Sequence, residues 1–330
     1  MSEPVLQVDN LHCHFATKEG PVKAVNGVTL TLEQGKVMAV VGESGCGKTT
    51  LALAILRLLP FPGQITDGSI QFEGQNVLGM SEADLRRLRG RSISMIFQDP
   101  VSGLNPVLPV GKQVEEILAS HLDIPKREQR ARAVDLLRQV GLPEPERIAT
   151  QYPFHLSGGM CQRVMIAMAT ALNPKVVIAD EPTSALDVTV QAQILTELEN
   201  LRRQRGTSIL LITHDLGVVA QMADEVAIMY AGSVVETGTV ASVFRSPRHP
   251  YTWALLSTLP RIDSERSHLR AIPGSPPSLL NLGEECPFLP RCSKAMTRCR
   301  QEPAPALVEV DAGQWAACYN PIFQGWQATD

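Results

Sequence analysis

Three short runs in this chain combine residue types that can handle phosphate, a divalent cation and water. The first, Gly42-Glu43-Ser44-Gly45-Cys46-Gly47-Lys48-Thr49-Thr50, fits the pattern G-x-x-x-x-G-K-[ST]. In that pattern the backbone amides of a glycine-rich loop, and of the helix that follows it, surround phosphate groups. Lys48 is then expected at the outer phosphates of a nucleotide and Thr49 on a magnesium ion. Cys46 contributes backbone geometry, and its thiol is a point of sensitivity to thiol reagents. The second run, Val176-Val177-Ile178-Ala179-Asp180-Glu181, is apolar and ends in two acids, which places carboxylates at the carboxyl edge of a sheet. Asp180 suits magnesium through a water. Glu181 is the better base for an attacking water, because the metal shell occupies Asp180. Alone, an acidic strand end reads as a solvated turn; paired with a phosphate loop it reads as machinery. The third run, Leu156-Ser157-Gly158-Gly159-Met160, puts a capping serine and two glycines ahead of a helix, which makes an anion-binding N-terminus. A second phosphate-binding element is surplus for one nucleotide, and makes sense if it faces the nucleotide of another subunit.

These runs need elements to hold them. Val5, Leu6, Val8 and Leu11, then Val28, Leu30 and Leu32, alternate with polar residues and predict half-buried strands closed by Glu33-Gln34-Gly35. Residues 36–41 form an apolar strand that runs into the glycine loop and on into a helix from Leu51. Residues 111–172 are mainly helical, with Ala133, Leu136, Leu137 and Val140 at three- and four-residue steps and Gly141 as C-cap. Buried-type strands return at 176–179 and 208–213 around a helix over 191–203, the alternation of a parallel sheet. Residues 226–230 and 233–236 predict a hairpin joined at Ala231-Gly232. Prolines then accumulate at positions 247, 250, 260, 273, 276 and 277, so a boundary falls near residue 246 and a loop-rich module follows.

Composition narrows the class. With 330 residues, 44% hydrophobic and 19% charged, the chain is an ordinary globular one, read as a large domain plus a smaller appendage. A formal charge of -4 and a pI near 6.0 remove the electrostatic reason to expect nucleic acid as a partner. No apolar run approaches the roughly 18 to 20 residues that span a bilayer, and Met1-Ser2-Glu3-Pro4-Val5 lacks a signal-peptide pattern. The expectation is a cytosolic chain that reaches a membrane through a partner.

The Leu-Ser-Gly-Gly run resembles the signature of the ABC transporter ATPase family, with Met160 where the family usually has glutamine and Gln162-Arg163 shortly after. The family's other motifs follow in order: Gln98 in Phe97-Gln98-Asp99-Pro100, Asp187 in Ser184-Ala185-Leu186-Asp187, and His214 after the strand over 209–213. The resemblance covers residues 4–244. It implies an α/β fold: a P-loop ABC ATPase core (1–245) with an antiparallel β lobe and a helical subdomain (about 100–172), followed by a small C-terminal cysteine-rich module (246–330). By resemblance Gln98 contacts magnesium and the attacking water and reports to the permease, and His214 contacts the terminal phosphate. Phe15 either stacks on adenine, as an aromatic does near this position in relatives, or is core. Two such chains would close head to tail over two ATP molecules, each joining its glycine loop to Ser157-Gly158-Gly159 of the other, and drive two transmembrane permease subunits. The second ATPase is a copy of this chain or a related one. The competing classes are an ABC ATPase acting on DNA or ribosomes and a binding module that has lost hydrolysis. The single core and acidic pI argue against the first, and the presence of Lys48, Asp180, Glu181 and His214 against the second.

Pro247-Arg248-His249-Pro250-Tyr251-Thr252 is similar to the C-terminal region of ATPases serving dipeptide and oligopeptide importers and their nickel-type relatives. The resemblance implies peptide import, fed by an extracytoplasmic solute-binding protein, with nickel or another small solute as the alternative cargo. His249 itself reads as structural. Of seven cysteines, Cys286, Cys292, Cys299 and Cys318 cluster, with gaps of five, six and eighteen residues. In a reducing compartment such a group suits a metal before disulfides. A four-thiolate site contributes on the order of 10 kcal/mol, more than the core of so small a module supplies. Tetrahedral zinc and a [4Fe-4S] cluster both suit four cysteines; the importer resemblance favours the cluster. Cys13 and Cys161 read as small buried side chains.

Overall fold

In the computed structural model, which describes residues 3–184, 186–258 and 272–323, the chain opens with two long strands, β1 (Pro4–Thr17) and β2 (Gly20–Glu33). Val5, Leu6, Val8 and Leu11, and Val28, Leu30 and Leu32, are buried as their alternation predicts. The short strand β3 (Val37–Val41), buried at every position, delivers the glycine loop to helix α1 (Lys48–Ile55). There follow β4 (Gly63–Phe72), β5 (Gln75–Asn76), α2 (Glu82–Leu88) and β6 (Ile93–Ile96). The helical stretch comprises α3 (Val110–His121), α4 (Lys126–Gln139), α5 (Pro145–Ile148) and α6 (Gly158–Thr170). Next come β7 (Val176–Asp180), α7 (Val188–Arg205), β8 (Ser208–Thr213) and α8 (Leu216–Met222). The chain continues through β9 (Glu225–Tyr230), β10 (Ser233–Thr239), α9 (Val240–Arg245) and α10 (Pro250–Ser257), then α11 (Thr297–Gln301), β11 (Val308–Asp311) and β12 (Gln314–Ala316). Met1, Ser2, Ala185 and Pro260 lie outside the described residues. No helix among the described residues is long and apolar enough to cross a membrane.

Strands β2, β1, β4 and β5, in that order, form a four-stranded sheet. The described residues otherwise divide into two compact units. One is Met1–Leu6, Thr31–Val37 and Gln71–Ile212; the other is Gln7–Leu30, Met38–Ile70 and Thr213–Asp330.

The first unit carries the parallel strands β6, β7 and β8, with Ile93 opposite Val176 and Val176 opposite Ser208. Every residue of β7 is buried, as a strand covered on both faces requires. The helices α3 to α7 belong to this unit, and Gly141 ends α4 with φ +72°, the left-handed C-cap its position predicts.

In the second unit β3 pairs parallel with β9, and β9 turns back antiparallel into β10 through Ala231 and Gly232, both at positive φ. The sequence places a boundary near residue 246, but the fold carries the chain across it. Glu236 of β10 pairs with Ala316 of β12, and β12 pairs in turn with β11. Tyr251 and Phe288 sit in one apolar core with Ala39, Val41, Ile228 and Tyr230. A loop-rich segment this short buries too little apolar surface by itself, so its aromatic side chains join the core built by β3 and β9.

Candidate functional site

The second unit holds the glycine loop. Gly47 has φ +105°, and a Cβ there would lie 2.0 Å from the carbonyl oxygen of Ala24; a Cβ on Gly42 would lie 2.1 Å from that of Met229. Both glycines are therefore dictated by close backbone approach, which folds the loop back over the end of β3. Lys48 is only 8% exposed. Its Nζ donates to the carbonyls of Gly42 (2.7 Å) and Glu43 (3.0 Å) and lies 3.8 Å from Cys46 Sγ. The ammonium thus spans the loop it belongs to, while Ser44, Gly45 and Thr49 face solvent. Cys46 is buried, and burial raises its thiol pKa against the pull of Lys48, so its contribution is backbone geometry. Its carbonyl accepts from Gly232 N–H at 2.9 Å. These features fit phosphate: a tight glycine loop leading into the first turn of α1, with exposed residues at its crest and a buried ammonium across it.

Phe15 lies on β1, half-buried, with its ring over Gly63, where a Cβ would come 2.6 Å from Phe15 Cε1. His214, in the same unit, is exposed and directly follows Thr213. Asp215 next to it caps α8, accepting from Gly217 N–H (2.8 Å) and Val218 N–H (3.2 Å).

The acids belong to the first unit. Asp180 ends β7 at 1% exposure and Glu181 follows at 8%. Glu181 takes φ +49°, a left-handed conformation unusual for an acid. Its N–H donates to Ile212 O at 2.8 Å and its carbonyl accepts from Ser184 N–H and Oγ, so the backbone around it is pinned. Gln162 of α6 donates from Nε2 to Pro182 O at 2.8 Å, tying the signature helix to the turn after the acids. Ser157 is the N-cap of α6, its Oγ accepting from Met160 N–H at 3.3 Å. Asp187 caps α7 in the same way, accepting from Thr189 and Val190 N–H at 3.0 Å each. A Cβ on Gly159 would lie 3.1 Å from Val190 Cγ1, so the two capped helix starts are neighbours. Ser157 and Gly158 are exposed and Met160 is half-buried, which leaves first-turn amides of α6 open to an anion. Gln98 is exposed just beyond β6, ahead of a turn in which Asp99 accepts from Val101 N–H at 2.9 Å.

Cys286, Cys292, Cys299 and Cys318 are free thiols, each half-buried, and all four line one small cavity together with His249 and Lys294. Burial raises the thiols of Cys286 and Cys292, with neighbouring cysteines adding to it, and pushes Cys318 up to about 12. Four soft sulfur donors on one cavity suit a thiophilic centre in composition. As folded, however, no three His, Cys, Asp or Glu among the described residues stand in an arrangement that holds a metal ion. Cys13 and Cys161 are buried, with thiols raised by burial.

Two contacts to the glycine loop escape the spacing of the sequence. Glu43 N–H donates to the hydroxyl of Tyr251 at 3.0 Å, and the Glu43 carboxylate accepts two bonds from Arg291. Tyr251 is visible in the sequence only as part of the run Pro247-Arg248-His249-Pro250-Tyr251-Thr252, and Arg291 only as a neighbour of Cys292. His249 is buried as the N-cap of α10, its Nδ1 accepting from Tyr251 N–H at 3.0 Å, which agrees with its structural reading.

Comparison with known proteins matches residues 25–184 to the ABC transporter family and residues 235–299 to the oligopeptide/dipeptide transporter C-terminal region. The chain is 51% identical over 294 residues to the oligopeptide transport ATP-binding protein OppD of Bacillus subtilis (strain 168), covering 88% of this chain and 82% of that one. It is 45% identical over 325 residues to the dipeptide transport ATP-binding protein DppD of Escherichia coli (strain K12), covering 98% and 99%. Among solved structures, the ATP-binding cassette MJ0796, in a dimeric post-hydrolysis state bound to ADP and Pi, aligns with a TM-score of 0.65 at 29% identity over 71% of this chain and 98% of that one. A tight glycine loop, a pinned acidic strand end and a serine-capped glycine helix thus occur on an ABC ATPase fold, and the chain belongs to the ABC transporter ATP-binding proteins, among those of the oligopeptide and dipeptide type.

Proposed function

We propose that this chain hydrolyses ATP to power import of di- and oligopeptides through a membrane permease, as a peripheral subunit on the cytoplasmic face of the membrane. The observation that carries the reading is the glycine loop, where Lys48 is buried across the carbonyls of Gly42 and Glu43, beside the exposed residues Ser44, Gly45 and Thr49. Residues 1–245 are the ATP-binding domain, with a helical subdomain at about 100–172, and residues 246–330 are the peptide-importer extension.

In this reading the phosphates of ATP settle on the glycine loop and helix start of residues 42–50, and Lys48 exchanges its carbonyl partners for the outer phosphate oxygens. Thr49, Gln98 and Asp180 are the residues that would hold magnesium. The ion, when bound, neutralises charge on those oxygens. Glu181 orients a water and takes its proton as the water oxygen attacks the γ-phosphorus. The bond to the bridging oxygen breaks, and ADP and phosphate are left. His214 contacts the terminal phosphate, and Phe15 offers its half-buried ring to adenine. Ser157, Gly158 and Gly159, with Asp187 alongside, cap the nucleotide held by a second ATPase subunit, either a copy or a related chain. Closure of that pair and its release after hydrolysis are what two permease subunits convert into alternating access, with peptide delivered by an extracytoplasmic binding protein. Cys286, Cys292, Cys299 and Cys318 are the residues that would hold a [4Fe-4S] cluster, which would serve a structural role, with zinc as the other centre that four thiolates suit.

The test is ATPase activity of the complex reconstituted with its permease and binding protein. Glu181→Gln should lower turnover about 10²- to 10⁴-fold, the range for loss of a general base, and di- or oligopeptides should stimulate the wild type. Undiminished hydrolysis in the variant removes Glu181 as base; stimulation by another solute alone, such as nickel, removes peptides as cargo. Iron with acid-labile sulfide, against zinc, in the purified chain decides the cysteine centre.

A further inference from the structure

The described contacts hold Glu43, the second residue of the glycine loop, from three sides. Lys48 binds its carbonyl, Tyr251 its N–H, and Arg291 its carboxylate. The guanidinium of Arg291 forms a two-pronged pair, Nη1 to Oε2 at 2.7 Å and Nη2 to Oε1 at 3.0 Å. Its side chain is 5% exposed against 23% for Glu43. The rest of the fork is also committed: Nη1 donates to the Tyr230 hydroxyl at 3.2 Å and Nε to Pro273 O at 2.8 Å. The guanidinium carbon lies 5.8 Å from the Tyr230 ring centre and 6.0 Å from that of Phe288. Tyr230, Tyr251 and Phe288 pack on one another with ring centres 4.5 to 5.4 Å apart. A planar, fully donated arginine on an aromatic bed has little freedom left, and it passes that rigidity to the carboxylate it grips.

We propose that Arg291 and Tyr251, both from the C-terminal extension, are positioning residues for the phosphate loop: by gripping Glu43 through its carboxylate and its N–H they set the affinity for nucleotide. Two physical reasons support this. The Glu43 carbonyl is one of the two that orient Lys48, so displacing Glu43 displaces the ammonium. And Glu43 is an acid in a loop meant for phosphates; pairing it with Arg291 cancels a negative charge that would otherwise repel the ligand. The 3-10 turn Leu289–Arg291 that carries the arginine runs between Cys286 and Cys292, so the arm of the grip is built into the cysteine module.

The inference rests on residues 42–49 being the phosphate loop, and the experiment separates the two. In the assembled transporter, the Kd of a fluorescent ATP analogue is measured for wild type, Arg291→Ala, Arg291→Lys, Glu43→Gln, Tyr251→Phe and the Arg291→Ala/Glu43→Gln pair, alongside thermal melting. Lys48→Ala serves as reference. Truncating one side of a buried charged pair leaves its partner uncompensated, so Arg291→Ala should raise Kd about tenfold. Arg291→Lys should recover part of this. The double variant should bind better than Arg291→Ala, because the stranded carboxylate is gone. Tyr251→Phe should raise Kd about threefold, the scale of one hydrogen bond. A merely structural staple predicts lower melting temperatures with every Kd within twofold of wild type, and that result overturns the proposal. If Arg291→Ala does not fold, Arg291→Lys and Tyr251→Phe decide by the same readout. If Lys48→Ala binds nucleotide normally, the phosphate-loop assignment itself fails.

Discussion

Replacing glycine by alanine at two points of the same loop separates backbone strain from collision. Gly45 has φ +79° and nothing within 4 Å of where a Cβ would stand; Gly47 has φ +105° and the Ala24 carbonyl oxygen 2.0 Å away. Gly45→Ala meets only the cost of an L-residue in the left-handed region, about 1 to 2 kcal/mol. If all of it appears in binding, that is roughly a 5- to 30-fold loss of ATP affinity. Gly47→Ala meets the same strain and, in addition, must open the contact with β2 by roughly 1.4 Å before it becomes an ordinary one. Gly47 also accepts from Leu51 N–H at 2.9 Å as the start of α1, so the loop, Lys48 and the helix N-terminus move together. A displacement of about 1 Å in a reacting array costs on the order of 100-fold in rate. Gly47→Ala is therefore expected to lose at least that much turnover, while Gly45→Ala keeps activity at saturating ATP within about tenfold. Phosphate release at saturating ATP, with a nucleotide titration of each variant, measures both. Comparable losses in the two variants, or a more severe effect at Gly45, refute the reasoning.

Two further outcomes follow from buried polar groups in the extension. His249 is 2% exposed, and burial depresses its pKa from the usual 6.5 to about 3. The folded chain keeps the ring neutral while the unfolded chain takes up a proton below pH 6.5, so stability is full above that value and declines as pH falls towards 3. At pH 5 the loss is roughly 2 kcal/mol. Thermal melts from pH 7.5 to 5 should fall less for His249→Asn, which keeps a capping acceptor without the titration; parallel curves would show that another group governs acid stability. Glu236 is fully buried and accepts from Arg248 and His249 N–H (2.8 Å each) and from Gln314 Nε2 (2.7 Å). Glu236→Ala strands three donors at about 1 to 3 kcal/mol each. The melting temperature should drop by at least about 6 °C, and a change under 2 °C would show that water replaces the carboxylate.

Much of the candidate site's local geometry was legible because each motif is local. A strand, a glycine loop and a helix can be read from consecutive residues, since φ above zero and close backbone approach leave glycine as the fitting choice at positions such as Gly47. Ser157 and Asp187 were equally readable, because an N-cap is satisfied within three residues. The hairpin at Ala231-Gly232 and the C-cap at Gly141 belong to the same class. What the extension packs against was not legible, because proline density reports on local backbone and carries no information about the neighbours of the aromatic residues between the prolines.

The sequence by itself determined which residues form the glycine loop and which acids end a buried strand, because periodicity and chain-neighbour hydrogen bonds decide those features. Tertiary structure decided the rest. The pairing of β12 with β10, the gathering of four cysteines on one cavity, and the grip of Arg291 on Glu43 across 248 residues of chain each depend on side chains that meet only when the apolar core closes. Burial of Tyr230, Tyr251 and Phe288 brings those segments together, and non-directional apolar packing leaves no fixed spacing in the sequence from which such a meeting can be read.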